Sequence, residues 1–182
     1  MSIPDVGKPR PGADDYRAPG LLLEIVEQDG DWSAIADRRG SIEAAGAALA
    51  AHPRCRQARS SEASIVLASD DFVKALNNAY RGKNSATNVL SFPFQVPPGG
   101  ESARYLGDVV LACETLQREA AEQGISSKHH LQHLVIHGLL HLLGFDHVAP
   151  AEAEDMESLE AQLLDALGVA DPYARDPLVE AQ

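Results

Sequence analysis

Apolar positions change period several times along the chain, and each change marks an element. "GLLLEIVEQ" (20–28) is dense in Leu, Ile and Val without a helical rhythm and predicts a strand. "SIEAAGAALAAH" (41–52) predicts an Ala-rich helix with Ser41 as its N-cap. The short run "ASIVLAS" (63–69) predicts a buried strand, and "DDFVKALNNAY" (70–80) a helix capped by Ser69 and stopped by Gly82. Asp70 and Asp71 stand where that helix's dipole favours negative charge. A polar connection, "RGKNSAT", leads to "NVLSFPF" (88–94), a strand that Pro93, lacking an N–H, restricts to an edge or an end. After the loop "QVPPGGESAR", "YLGDVVLA" (105–112) predicts another strand, and "CETLQREAAEQG" (113–124) an amphipathic helix ending at Gly124. A helix capped by Ser126 or Ser127 runs on to Gly144, and a last one opens at Pro150 and reaches Gly168. Strands early and midway, helices late and no internal repeat predict an α+β fold. The expectation is a single domain with a small mixed β-sheet of about four strands packed with about five α-helices.

Composition narrows this picture. A chain of 182 residues suffices for one sizeable core and hardly for two. No apolar run approaches the roughly 18 to 20 residues of a membrane span. The opening "MSIPDVGKPRPGADDYRAPG" has four prolines and no apolar middle, so it reads as a flexible N-terminal tail (1–19) and not as a secretory signal. The folded domain is expected over 20–168, with a C-terminal tail over 169–182. Cys55 and Cys113 stand too far apart for a zinc knuckle and are expected to be one loop thiol and one packed thiol, in keeping with a reducing cytoplasm.

A net charge of −12 argues against a nucleic-acid partner until its distribution is considered. Residues 148–182 hold nine acids and one base, so they carry −8 of that total and leave −4 on residues 1–147. "HPRCRQAR" (52–59) and "YRGK" (80–83) are locally basic. One face can meet a polyanion while the C-terminal segment stays away, although scattered solvated charge is the plainer reading of the same residues.

The chemistry concentrates in "HLVIHGLLHLLGFDH" (133–147), four histidines in fifteen otherwise mostly apolar positions. On a helix, His133, His137 and His141 share a stripe, but its two ends are about 12 Å apart along the axis, too far for one ion. Gly144 selects the pair. A glycine that adopts the left-handed conformation turns the chain back, so His147 can join His137 and His141 in a three-cornered cup. Three neutral imidazoles leave a coordination position open, the arrangement of a catalytic zinc. A lone histidine on an apolar face is more often a packed or helix-end residue; the joint spacing carries the metal reading. His133 is expected beside the site, and His129, His130 and His52 in solvent.

The same spacing resembles metzincin peptidases, in which a glutamate follows the first histidine as general base; here Gly138 stands there, which counts against peptide hydrolysis. Asp146 is expected to orient an imidazole. Phosphodiester cleavage fits better, because a cation polarises a phosphoryl oxygen and an arginine supplies a second positive group.

Together, "HGLLHLLGFDH" (137–147), "YRGKNSATNVLSFPF" (80–94) and "YLGDVVL" (105–111) closely resemble the bacterial YbeY family, over roughly residues 63–167. The resemblance implies a cytoplasmic, zinc-dependent endoribonuclease of single-stranded RNA, acting in 16S rRNA 3′-end maturation and ribosome quality control. It implies one zinc ion on His137, His141 and His147, a catalytic role for Arg81 beside His137, and a cleft between helices and sheet. Its implied partners are ribosomal RNA, a small-subunit ribosomal protein and an Era-type GTPase, with no membrane. The competing reading is a non-catalytic ribosome-assembly factor that zinc stabilises.

Overall fold

The four apolar runs become four strands of one mixed sheet in the computed structural model, which describes residues 20–95 and 104–174. They are β1 (Leu22–Glu27), β2 (Glu62–Ala68), β3 (Val89–Pro93) and β4 (Tyr105–Ala112), in the order β1-β2-β4-β3. β1, β2 and β4 run parallel, while β3 pairs antiparallel with β4 in a register that sets Ser91 opposite Val109. Pro93 ends this edge strand, where its missing N–H costs no ladder bond. The segments 1–19 and 175–182, and most of the Pro/Gly loop, lie outside the described residues.

Five α-helices accompany the sheet among the described residues: α1 (Arg38–Ala51), α2 (Asp70–Arg81), α3 (Cys113–Glu122), α4 (Ser127–Leu142) and α5 (Pro150–Asp165). Ser69 caps α2 by accepting from the Phe72 N–H, and Ser126 caps α4 by accepting from the His129 N–H. α1 departs from the sequence expectation. It starts at Arg38, with Asp37 in the cap position, and Ser41 lies inside the first turn, its hydroxyl donating to the Asp37 carbonyl at 2.6 Å. Arg38 is held there by a two-pronged contact with Glu27, at 3.0 and 2.9 Å.

Side chains alternate across a strand, so the sheet has two different faces. Ala63, Ile65, Leu67, Val109 and Leu111 face α1, α4 and α5 in the larger core. Val66, Ala68, Leu90, Val110 and Ala112 face Val73 and Leu76 of α2 in a smaller one. No helix among the described residues is long and apolar enough to cross a membrane.

Two expectations are corrected by packing. Cys55 is buried like Cys113 rather than lying in an open loop, and burial pushes both thiols up, Cys113 to about 11. The basic stretch 52–59 is largely consumed within the fold. Arg54 pairs with Asp155 of α5 at 3.0 Å and lies 5.4 Å over the Phe145 ring, and Arg59 donates to the carbonyls of Ala50 and Ala51. The acidic C-terminal helix therefore meets this stretch instead of standing apart from it.

Candidate metal centre

α4 places His137 and His141 one turn apart on one face, and the chain then reverses at Gly144, whose φ of 89° is a conformation that other residues resist. The reversal returns His147 to the pair. One ring nitrogen from each of the three lies within 4.8 Å of the others. His133, a turn earlier, stays outside this group, with its Nε2 3.4 Å from a Glu160 oxygen.

The hydrogen bonds fix which nitrogens are free. His137 Nδ1 is 2.7 Å from Glu160 Oε1, and His141 Nδ1 is 3.0 Å from the Phe145 carbonyl. A carbonyl and an ionised carboxylate only accept, so both Nδ1 atoms carry the hydrogen and both Nε2 atoms present lone pairs. Those two Nε2 atoms are 3.1 Å apart. Two facing lone pairs repel unless a cation or a proton lies between them. Burial, reinforced by the neighbouring His137 and His147, holds the His141 pKa below its ordinary value, which makes a proton the poorer answer. The donor set therefore fits a metal ion held by neutral imidazoles with an open side.

Glu160 is the residue that sequence reasoning missed. It belongs to α5 and is fully buried. Burial alone would raise its pKa, but hydrogen bonds from His133, His137 and the Tyr173 hydroxyl outweigh that and hold it down at about 2. Asp146, which the sequence suggested for orienting an imidazole, instead accepts from the His147 backbone N–H at 2.8 Å and shapes the returning loop.

A cleft of about 580 Å³ opens over this cluster. Its walls are the edge strand β3, the turn 144–147, the end of α2 with the exposed Arg81, and the connection after it, which contributes Thr87 and Asn88. Arg81 and the three histidines thus share one cavity. Gly138 faces away from it. A Cβ at that position would lie 2.5 Å from Val109 Cγ1 and 3.3 Å from Ser91 Oγ, and the Ser91 hydroxyl donates to the Gly138 carbonyl. The place of the peptidase glutamate is thus a packing contact between α4 and the sheet.

The remaining histidines differ from expectation. His130 is 3% exposed and bonds to Glu119 at 2.8 Å, while His129 and His52 are half-buried. Glu119 also accepts from the Asn88 amide, which links this network to the cleft wall.

A family model described as endoribonuclease YbeY matches residues 33–168. An "Endoribonuclease YbeY" from Chelativorans sp. is 44% identical over 160 residues, covering 86% of this chain and 96% of the relative. One from Agrobacterium fabrum is 50% identical over 119 residues, covering 64% and 71% respectively. The solution structure of TM1509 from Thermotoga maritima superposes with a TM-score of 0.49 at 21% identity, covering 85% of this chain and all of that one.

Proposed function

This chain belongs to the endoribonuclease YbeY family, and on that premise we propose that it is a metal-dependent endoribonuclease of single-stranded RNA. In this reading His137, His141 and His147 hold one zinc ion and Arg81 is the second positive group. The observation that carries it is the shared cavity, in which convergent imidazole nitrogens, two of them on rings with anchored Nδ1 atoms, face the same space as a guanidinium that enters no ion pair among the described residues.

When bound, the ion supplies Lewis acidity toward a phosphoryl oxygen. The side chains do the rest. Arg81 presents planar, paired donors that match a phosphate and stabilise the charge that develops as the bond to the leaving oxygen breaks. Glu160 and the Phe145 carbonyl keep two rings aimed into the cleft, and the carboxylate raises the basicity of His137, the ligand that acts with Arg81. The activity is assigned to residues 20–168, and Tyr173, just beyond that span, supports the centre by donating its hydroxyl to Glu160.

The family resemblance extends the proposal to 16S rRNA 3′-end maturation and ribosome quality control in the cytoplasm, with a small-subunit ribosomal protein and an Era-type GTPase as contacts. A zinc-stabilised assembly factor without activity is the competing reading. An exposed His147 and a set of three ligands among the described residues, at an open cleft, favour catalysis, because structural zinc sites are four-coordinate and closed. Chelation is expected to abolish cutting of a single-stranded RNA oligonucleotide, and one equivalent of zinc to restore it. Metal-loaded protein that binds this RNA and leaves it intact would favour the assembly factor.

A further inference from the structure

The last turn of α2 carries an exposed aromatic residue that the cleavage chemistry does not use. Val73 and Leu76 form the stripe by which this helix packs on the sheet, and Tyr80 continues it at helical spacing. Yet Tyr80 is 60% exposed. Its ring meets Phe92 of β3 in an edge-to-face contact, with centroids 5.1 Å apart and planes at 61°, so the pair is braced while aromatic surface stays open to solvent.

The position of this pair relates it to the cleft. Tyr80 is covalently next to Arg81, and Phe92 stands between Ser91 and Pro93; Arg81, Ser91 and Pro93 all line the cavity. Strand alternation puts Ser91 on the α4 side of the sheet and Phe92 on the α2 side. β3 is an edge strand with no neighbour beyond it among the described residues, so a chain leaving the cleft can cross that edge and reach Tyr80. The surroundings suit a polyanion. Lys74, Arg81 and Lys83 are exposed and their side chains enter no ion pair among the described residues. The Asn77 amide donates to the Ser85 carbonyl at 2.8 Å and fixes the basic connection against the end of α2.

We propose that Tyr80, braced by Phe92, is a stacking platform for one nucleobase of single-stranded RNA, adjacent to the nucleotide whose phosphate enters the metal cleft. The choice of RNA rests on the endoribonuclease reading. Paired bases are stacked on one another and have no face to offer, so a platform at the cleft's edge selects single strands without reading sequence.

The test uses metal-loaded, full-length protein and a single-stranded 2′-O-methyl RNA oligonucleotide, which resists cutting, with 2-aminopurine placed at successive positions. Cleavage of unmodified RNA is followed in parallel. Fluorescence should be quenched at one position by wild type and by Tyr80→Phe. Tyr80→Leu, which keeps the apolar contact with Phe92 and the helix, should lose the quenching and bind about fivefold to a hundredfold more weakly. An abasic nucleotide at that position should weaken wild type but leave Tyr80→Leu unchanged. The platform is overturned by Tyr80→Leu that binds and quenches like wild type, by an abasic position without effect on wild type, or by failure to bind RNA. Failure of the endoribonuclease reading looks different: the RNA binds and quenches, yet unmodified RNA stays whole.

Discussion

Glu160 is fully buried and charged, a state that a lone carboxylate does not tolerate; two histidines and the Tyr173 hydroxyl make it possible. Its hydrogen bond sets which nitrogen of His137 is free. Glu160→Gln keeps the shape and removes the charge, so zinc affinity is expected to fall about 10- to 100-fold. Competition against a chromophoric chelator measures this, and unchanged affinity would remove Glu160 from the metal centre. Gly138 makes a second point at this scale. Gly138→Ala drives a methyl group into Val109 and is expected to cost about 1–3 kcal/mol in chemical denaturation; no loss would mean that α4 can move off the sheet. The histidine triplet was legible in the sequence because helical spacing and one turn glycine bring those residues together. Glu160 was not, because 23 positions and the packing of a second helix separate it from His137. Asp146 was the near neighbour and hence the natural guess, but its carboxylate is occupied by the backbone of its own loop.

Element by element, the strands and most helix ends followed from period and capping residues, while α4 shows where that reasoning stops. Its buried positions include His130, Leu131, Gln132, Leu134, Val135 and Ile136, which surround the helix axis instead of marking one stripe. A histidine in the first turn of such a helix is therefore covered by α3, not by water. Burial holds the His130 pKa below its ordinary value, and the Glu119 carboxylate pulls the other way without prevailing. His130 Nδ1 is also buried without a partner among the described residues, so a second N–H there would find no acceptor among them. Unfolded, the ring titrates near 6.5. As the pH falls through that value, the unfolded chain takes up a proton that the folded chain refuses, and unfolding is favoured until the lower folded pKa is reached. The contribution is thus present above pH 6.5 and lost below it. Wild type is expected to lose stability more steeply than His130→Gln on acidification from this pH in urea denaturation, and parallel curves would contradict the assignment.

Across the whole molecule, the α+β class could be read from the order of strand-like and helix-like runs, whereas the cleft between helices and sheet was implied only by the family resemblance. Its location depends on β3 joining β4 antiparallel at the sheet edge, which sets Ser91 against α4 and brings Arg81, at the end of α2, into one cavity with the histidines. No local pattern encodes that pairing. Charge follows the same logic. Arg54 and Arg59 turn onto Asp155 and backbone carbonyls, while Arg81 beside the cleft and the nearby Lys83 enter no ion pair among the described residues, so net acidity does not prevent a polyanion from being met there. The measurement that bears most directly on a metal-plus-arginine ribonuclease is cleavage of a single-stranded RNA oligonucleotide by metal-loaded wild type beside identically purified His137→Ala and Arg81→Ala. Wild type is expected to cut, and both variants to lose about 10²- to 10³-fold in rate while still melting cooperatively, with Arg81→Ala retaining its zinc. Equal cutting by all three would contradict the assignment and point to a contaminating nuclease.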